Sequence, residues 1–413
     1  MNRILFVLVT TFVCICTGAQ GVATAFKQFE DDPQLQSAIA SIYIIDAKTG
    51  KPIFEKNSSI GLPPASTQKI ITSISAYELL GEDFRFTTKF GLSKDGAILY
   101  ILPGGDPTLG SWRWPQTKEA AVLTRVIGAL KKGNVKAIKE VVSDEVGWEE
   151  ESVPDGWIWQ DIGNYYGAGA KKLNWRENQF DLILKSGSQI NDPVIIAGTV
   201  PHLKTYKLQS FVRSAAKGTG DNAYIYFPLN SLTGVVRGTI PLGENNFVIS
   251  GAFPPGENIF MQALVDSLVK ANIFKPGAAN NPTKKTVIVK DEKDITLLHT
   301  ETSPSLDSII YWFNKKSINL YGEALLKTIA FGAGSEASPE KAVKIIKDFW
   351  VDKGVKPSEL NMVDGSGLSP LNRVTTHAQV TILQYAKKQN WFSHFYNALP
   401  EYNGMKMKSG TIS

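Results

Sequence analysis

The sequence predicts an α/β protein of two or three domains, and three observations lead to this prediction. The chain has 413 residues, more than one ordinary domain contains. Apolar residues recur at helical spacing after residue 66 and again from about residue 285 onwards. Between residues 82 and 300, short strand patterns punctuated by Gly and Pro dominate. Helical segments near both ends therefore enclose a β-rich middle.

The composition is that of a globular protein with a large core. Apolar residues make up 43% of the chain and charged residues 20%. The net charge is +5, from 44 basic and 39 acidic residues, and no long basic run is interleaved with aromatic residues. We therefore expect no nucleic-acid partner.

Residues 1–20 are predicted to be a signal peptide. An apolar run over residues 4–16 follows a positively charged start, and residues 17–19 are small, as at a cleavage site. Cys14 and Cys16 lie inside this segment, and neither follows the small residues that a lipid-anchor site needs. The mature chain then has no cysteine and no disulfide.

No later apolar run reaches 18 residues, so no transmembrane segment is predicted in the mature chain. We expect a protein exported to the periplasm or cell envelope of a bacterium.

The elements follow in order along the chain. Residues 41–46 and 51–55 are predicted strands, and the turn over residues 47–50 joins them into a hairpin. A helix is predicted from Ser66, after two prolines. Further helices are predicted over residues 119–132, 259–271, 305–313, 339–352 and 377–388, and strands over 98–103, several segments within 180–252, and 404–412. The tryptophans at 148, 157 and 159 are either a sugar platform or core aromatics.

The first candidate for chemistry lies at the start of the helix from Ser66. Ser66 and Lys69 are three residues apart and share one helix face. A lysine that is kept neutral within hydrogen-bond reach can take the proton of a serine hydroxyl and make it a nucleophile. The helix N-terminus also supplies a positive dipole end for a developing oxyanion.

Spacing alone does not identify this pair. The same serine–lysine spacing recurs three times, at 214/217, 267/270 and 338/341. Ser338 is explained as the N-cap of the helix over residues 339–352. Other motifs must therefore decide.

A second motif, Ser317-x-Asn319, occurs once in the chain. A serine hydroxyl both donates and accepts, so Ser317 can relay a proton between the nucleophile and a leaving amine. Asn319 can hold a substrate amide carbonyl.

The third motif is Lys408-Ser409-Gly410-Thr411, on the predicted strand near the end of the chain. Lys408 supplies positive charge for a substrate carboxylate, and Ser409 and Thr411 supply hydroxyl donors. Gly410 lets the backbone approach a bound peptide. A backbone N–H from this strand and that of Ser66 would form an oxyanion hole. Similar triplets at residues 48–50 and 185–187 do not follow the other two motifs, and the first is explained as a hairpin turn.

Neither a metal site nor a cofactor is predicted. The chain has four histidines, at 202, 299, 377 and 394, and no two stand at metal-ligand spacing. No Gly-x-Ser-x-Gly motif indicates a serine–histidine–aspartate triad.

The three motifs in this order resemble those of the serine acyl-transferases that bind penicillin. More narrowly, the chain resembles the D-alanyl-D-alanine carboxypeptidase/endopeptidase family, the class C low-molecular-mass penicillin-binding proteins of peptidase family S13, penicillin-binding protein 4 type. Further segments carry this resemblance: Pro64-Ala-Ser-Thr-Gln-Lys69, Gly104-Gly-Asp-Pro-Thr-Leu109, Tyr166-Gly-Ala, Leu173-Asn-Trp-Arg-Glu-Asn178 and Asp364-Gly-Ser-Gly-Leu-Ser369.

The resemblance implies an α/β acyl-transferase domain with two inserted, mostly β domains. The acyl-transferase domain would comprise residues 21–85 and 285–413, the first inserted domain residues 86–109 and 171–284, and the nested one residues 110–170. It implies cleavage of terminal D-alanine from peptidoglycan stem peptides, or of D-alanyl cross-links, through an acyl-enzyme on Ser66 that β-lactams would trap.

The chain departs from this family at its C-terminal end. Family members continue past the lysine–serine–glycine strand with further strands and a C-terminal helix, whereas this chain ends at Ser413. We therefore expect those strands and that helix to be missing, which would expose a sheet edge, lower the stability and put activity in doubt.

Two alternatives to a peptidase stay open. One is a β-lactamase or related esterase with the same motifs and fast deacylation. The other is a non-catalytic or inactive truncated protein that binds wall peptides or β-lactams. The sequence does not separate carboxypeptidase from endopeptidase preference, nor does it identify the stem-peptide specificity residue or the oligomeric state.

Overall fold

The computed structural model describes residues 21–228, 231–253, 259–274 and 295–411. Residues 21–30 are helical. The nine helices named below are α1 (Gln68–Leu80), α2 (Glu119–Lys132), α3 (Trp159–Ile162), α4 (Ile259–Lys270), α5 (Leu306–Lys315), α6 (Asn319–Gly332), α7 (Pro339–Asp352), α8 (Thr376–Ala386) and α9 (Phe392–Ala398). The strands are β1 (Ile42–Ile45), β2 (Pro52–Lys56), β3 (Thr87–Ser93), β4 (Ile98–Pro103), β5 (Glu140–Ser143), β6 (Gln179–Lys185), β7 (Ile195–Val200), β8 (Lys207–Ala215), β9 (Asn222–Tyr226), β10 (Thr233–Pro241), β11 (Phe247–Ala252), β12 (Ile295–Thr302), β13 (Leu360–Asn361), β14 (Arg373–Val374), β15 (Glu401–Tyr402) and β16 (Met405–Lys406).

The predicted N-terminal hairpin is confirmed. β1 and β2 pair antiparallel, with Ile42 opposite Lys56. In the turn, the Asp46 carboxylate accepts hydrogen bonds from the backbone N–H groups of Lys48 and Thr49, at 3.0 and 2.6 Å. Because an acceptor fixed in this way closes a tight turn, the triplet at 48–50 is a turn, as the sequence predicted.

One hydrophobic core surrounds α1 and α6. Every residue of α1 from Gln68 to Tyr77 is buried, and α6 is buried along most of its length. α7 packs on α6 and places the fully buried Trp350 so that its indole Nε1 donates to Ser75 Oγ at 2.9 Å. The two helices that carry the predicted Ser–Lys and Ser-x-Asn motifs are thus held rigidly side by side.

A second core lies under the sheets of the β-rich middle. A four-stranded sheet has the order β12–β3–β4–β5, and two three-stranded sheets have the orders β8–β10–β9 and β11–β6–β7. The helices α2 and α4 pack into this core. The strands expected within residues 180–252 are confirmed, and so are the helices over 119–132 and 339–352 at their predicted bounds. The domain boundaries stay a prediction.

The segment from Glu149 to Tyr166 leaves the β-rich middle and runs over the helical core. Three hydrogen bonds tie it there, from Trp157 Nε1 to Asp364 at 3.0 Å, from Asn319 Nδ2 to the Tyr166 carbonyl at 2.8 Å, and from Lys327 Nζ to the Glu151 carbonyl at 2.6 Å. Of the three tryptophans at 148, 157 and 159, the first two are buried and the third is half exposed. The core interpretation therefore holds for two of them.

The strand predicted over 404–412 is wrong for most of its length. The short hairpin of β15 and β16 ends at Lys406, and residues 407–411 have no strand structure. Alternation of apolar and polar residues makes a strand only where a neighbour supplies ladder hydrogen bonds, and no described strand runs beside this segment. Residue 412 and the predicted signal peptide lie outside the described residues.

Candidate active site

The predicted nucleophile sits on a strained turn. Ala65–Thr67 forms a single 3₁₀ turn that leads directly into α1. Ala65 has φ +46°, a left-handed conformation that costs a residue with a side chain on the order of 1–2 kcal/mol. The turn is held by Gln68, whose side-chain amide donates to the carbonyl and carboxylate oxygens of Asp364 at 2.5 and 2.9 Å. Strain maintained by packing in this way is typical of a functional position.

Two of the predicted residues contact the Ser66 hydroxyl, and a third, Asn319, contacts one of these two. Lys69 Nζ lies 3.0 Å from Ser66 Oγ, and Ser317 Oγ lies 2.9 Å from the same oxygen. Ser317 is in the loop between α5 and α6 and has φ +56°, which turns its side chain back toward α1. Asn319, the first residue of α6, accepts a hydrogen bond from Lys69 Nζ at 2.7 Å.

The Lys69 amine is fully buried and has three partners. Besides Ser66 Oγ, these are Asn319 Oδ1 and the carbonyl oxygen of Ser366, each at 2.7 Å. Burial, and then the charge of Lys408, lower the pKa of Lys69 from its usual value near 10.5 to about 7, although the carboxyls of Asp364 and Glu323 oppose this shift.

The two oxygen acceptors determine where the lone pair of the neutral amine points. A neutral amine has two N–H groups, and Asn319 Oδ1 and the Ser366 carbonyl accept both of them. The remaining contact, to Ser66 Oγ, is then made by the lone pair. The geometry is that of a base facing a hydroxyl.

The third motif approaches the same point. Lys408 Nζ donates to Ser317 Oγ at 3.0 Å, and burial lowers the pKa of Lys408 to about 8. A β-carbon on Gly410 would come within 2.3 Å of the Ser66 amide nitrogen, so only glycine allows this approach. Ser409 and Thr411 are exposed, and their hydroxyls make no hydrogen bond within the described part of the cluster, although the Ser409 carbonyl accepts one from Lys408 Nζ at 3.1 Å. The structure thus brings Lys408 and Gly410 to Ser66 and leaves the two hydroxyls outside.

Several residues of the site were not predicted to act in it. The loop over residues 364–369 supplies the carbonyl of Ser366, and in the sequence this segment only added to the family resemblance, with no assigned role. Glu323 binds this loop from α6. The signal that could have identified it is its spacing, four residues after Asn319 and therefore on the same helix face.

Two further properties concern the described residues as a whole. No group of three or more His, Cys, Asp or Glu side chains among them is arranged to hold a metal ion. None of the described helices combines the length and the apolar character needed to cross a membrane.

The fold and the geometry define a class of protein. An α/β core that places a serine and a buried lysine on one helix, a Ser-x-Asn loop beside them and a Lys-Ser-Gly segment across from them is that of the penicillin-binding serine acyl-transferases. The predicted fold class is confirmed by a solved structure of similar fold, the crystal structure of penicillin binding protein 4 (dacB) from Haemophilus influenzae. It matches with a TM-score of 0.69 and 22% identity, over 87% of this chain and 78% of that chain.

The chain belongs to the D-Ala-D-Ala carboxypeptidase 3 (S13) family, whose model matches residues 22–413. A D-alanyl-D-alanine carboxypeptidase of Actinomadura sp. (strain R39) is 24% identical over 383 residues, which cover 90% of this chain and 68% of that protein. The Haemophilus influenzae protein is also known complexed with a β-lactam, in a structure that matches with a TM-score of 0.62, 22% identity and coverage of 87% of this chain and 76% of that chain. The predicted class of enzyme, a serine-type D-Ala-D-Ala carboxypeptidase, is confirmed by this family membership.

Proposed function

We propose that this chain acts on D-Ala-D-Ala termini of peptidoglycan stem peptides, and on D-alanyl cross-links as an endopeptidase, through an acyl-enzyme on Ser66. The observation that carries the proposal is the buried amine of Lys69, whose two N–H groups have acceptors other than Ser66. A neutral amine oriented in this way is a general base for the hydroxyl 3.0 Å away.

Acylation would begin when Lys69 takes the proton of the Ser66 hydroxyl. Ser66 Oγ then forms a bond to the carbonyl carbon of the penultimate D-alanine, and the backbone N–H of Ser66 stabilises the oxyanion together with an N–H of the segment 408–411. The proton reaches the leaving nitrogen through Ser317, which contacts both Ser66 and Lys408. The C–N bond breaks, and D-alanine departs as the free amino acid. Water then hydrolyses the ester and releases the shortened peptide.

Of the other predicted residues, Lys408, Ser409 and Thr411 would bind the substrate. Lys408 lies at the edge of the cluster with its amine on Ser317, where it can attract the terminal carboxylate. The side-chain carbonyl of Asn319 accepts a hydrogen bond from Lys69 Nζ, and its N–H₂ group donates one to the Tyr166 carbonyl. In this state the Asn319 amide therefore positions the base rather than the substrate. Ser409 and Thr411 are exposed, so their hydroxyls can donate hydrogen bonds to a bound substrate.

β-Lactams would acylate the same serine, because their strained amide presents a carbonyl and a carboxylate at the spacing of the peptide terminus. Residues 1–20 would direct export to the cell envelope, where this substrate occurs.

The test is covalent labelling of residues 20–413 with a fluorescent penicillin, read by intact mass, beside Ser66→Ala. We expect a single adduct that is absent from the variant, and release of D-alanine from a D-Ala-D-Ala peptide. A folded protein without an adduct would contradict the proposal. A stoichiometric adduct without peptide turnover would favour a non-catalytic binding protein, and rapid turnover of the penicillin would favour a β-lactamase.

A further inference from the structure

The carboxyl group of Glu323 is a buried ionisable group that the acylation steps above do not use. It lies on α6 with 1% of its surface exposed. Its two oxygens accept hydrogen bonds from the backbone N–H groups of Gly365 and Ser366, at 3.0 and 2.9 Å. A carboxyl group removed from water in this way is costly unless its oxygens have hydrogen-bond partners, and here both partners belong to one loop.

The same loop residue joins Glu323 to the catalytic amine. Ser366 donates its N–H to Glu323 and accepts a hydrogen bond from Lys69 Nζ on its carbonyl oxygen, at 2.7 Å. The carboxyl group of Glu323 therefore fixes the direction of the Ser366 carbonyl. The Thr72 hydroxyl donates a hydrogen bond to the neighbouring Gly365 carbonyl at 2.6 Å, so both α1 and α6 are hydrogen-bonded to the loop.

Helix α6 thus controls both oxygen acceptors of Lys69. Asn319 supplies one directly, and Glu323, one turn later on the same face, holds the other through Ser366. Because these two acceptors decide where the amine lone pair points, a shift of either one would turn the lone pair away from Ser66.

We propose that Glu323 is a positioning residue, which holds the Ser366 carbonyl and thereby orients the Lys69 amine toward the Ser66 hydroxyl. This inference rests on the proposed acylation of Ser66. It assigns to Glu323 no contact with substrate.

The surrounding charges agree with this role. Lys69 faces Lys408, Asp364 and Glu323, and the two carboxyls both favour its protonated form. Burial, and then the Asp364 carboxyl, raise the pKa of Glu323 to about 8, while the two N–H donors favour its ionised form. Lys327 lies further along α6. Burial lowers the pKa of Lys327, and the charge of Glu323 opposes this shift. Where Glu323 is ionised it favours the protonated amine, so removing this carboxyl group lowers the pKa of Lys69.

Asp364 has a different task. Its carboxylate accepts hydrogen bonds from the loop itself, at Gly367 and Ser369, and from the side chains of Gln68, Trp157 and Asn372. It shapes the loop, whereas Glu323 anchors the shaped loop to α6.

The experiment measures the rate of penicillin acylation as a function of pH for the parent chain, Glu323→Gln and Glu323→Asp. The matched control is Glu359→Gln. Glu359 is also buried, and its carboxylate is bonded to the Lys356 N–H and the His377 ring rather than to a residue of the site. Labelling of the parent at Ser66 decides the proposed function separately, so failure of one conclusion is distinguishable from failure of the other.

For Glu323→Gln we expect acylation to slow about tenfold to 100-fold, the order of loss caused by misplacing a catalytic group. We also expect the midpoint of the pH profile to move to lower pH. In the parent chain Glu323 ionises over the same pH range as Lys69, and its growing charge holds the proton on the amine, whereas the variant has no such group. Glu323→Asp keeps the charge but reaches less far, so it should slow acylation and keep the parent midpoint.

A parental rate and midpoint in Glu323→Gln, as in the control, would overturn the proposal. So would a slower rate with an unchanged midpoint in that variant, which is what a merely structural role produces. If Glu323→Gln fails to fold, Glu323→Asp decides, and a parental rate there overturns the proposal. Failure of both to fold would also overturn it, since Glu323 would then serve the fold and not the amine.

Discussion

Lys408 should control the pH at which Lys69 becomes a base. The two amines are joined through Ser317 and Ser66 by hydrogen bonds of 3.0, 2.9 and 3.0 Å. These lengths bound the separation of the amines to about 9 Å, at which two positive charges repel by about 2 kcal/mol at an effective dielectric constant near 20. Lys408 is only partly buried, so screening by solvent reduces this repulsion to about 1 kcal/mol, or somewhat less than one pKa unit.

Replacing Lys408 with methionine removes the charge and keeps a side chain of similar length. The pKa of Lys69, about 7 in the intact site, should then rise by about 0.7 units, because the neutral amine loses a neighbour that favoured it. In the proposed mechanism, acylation requires the neutral amine of Lys69. The rising limb of the rate profile should therefore move to higher pH by the same amount.

The assay is the first-order rate of adduct formation at saturating fluorescent penicillin, over the pH range in which both amines titrate. Saturation separates the pH effect on acylation from the weaker binding that loss of Lys408 also causes. Lys408→Arg is the control, since a guanidinium keeps the charge, and its limb should stay in place. A limb that stays in place in Lys408→Met, or moves to lower pH, would refute the electrostatic reasoning.

Two further predictions concern stability and are measured by urea unfolding. Gly367 has φ +81°, and a β-carbon there would come within 1.9 Å of the Ala65 carbonyl oxygen, so Gly367→Ala should cost about 3 kcal/mol. The control is Gly354→Ala. Gly354 shares the positive φ, at +95°, but a β-carbon there would have no atom within 4 Å, so the variant should lose only about 1 kcal/mol of unfolding free energy. Equal losses in the two variants would contradict the clash at Gly367. The second prediction concerns Ser338, which caps α7 by accepting a hydrogen bond from the Lys341 N–H. Ser338→Ala should lower the free energy of unfolding by about 1 kcal/mol, whereas Ser338→Asp, which keeps an acceptor, should change it little. An unchanged stability of the alanine variant would mean that the cap contributes nothing.

Local patterns predicted the elements that depend on local chemistry. The bounds of α2 and α7 follow from apolar periodicity and terminal residues, and the serine at 338 caps α7 as expected. The Ser66–Lys69 pair is also local, because one helical turn joins its members.

The residues that sequence reasoning missed act over long separations. Glu323 contacts Gly365 and Ser366, which lie 42 and 43 residues further along the chain. The contacts form only because α6 and the loop over residues 364–369 are folded together, and no sequence periodicity indicates contacts at such separations. The failed strand over residues 407–411 has the same cause. Its pattern is right for a strand, but the strand also needs a partner elsewhere in the chain.

The long separations inside the cluster have a consequence for folding. Ser66 meets Ser317 across 251 positions, and Lys69 meets Ser366 across 297. Closing such loops costs entropy before any contact repays it, and during synthesis the N-terminal part emerges long before its partners. Ser66, in the turn that leads into α1, therefore stays chemically ordinary until the last third of the chain has docked. Under the proposed mechanism, the capacity to react with penicillin is consequently a kinetic marker for the end of folding, not for its beginning.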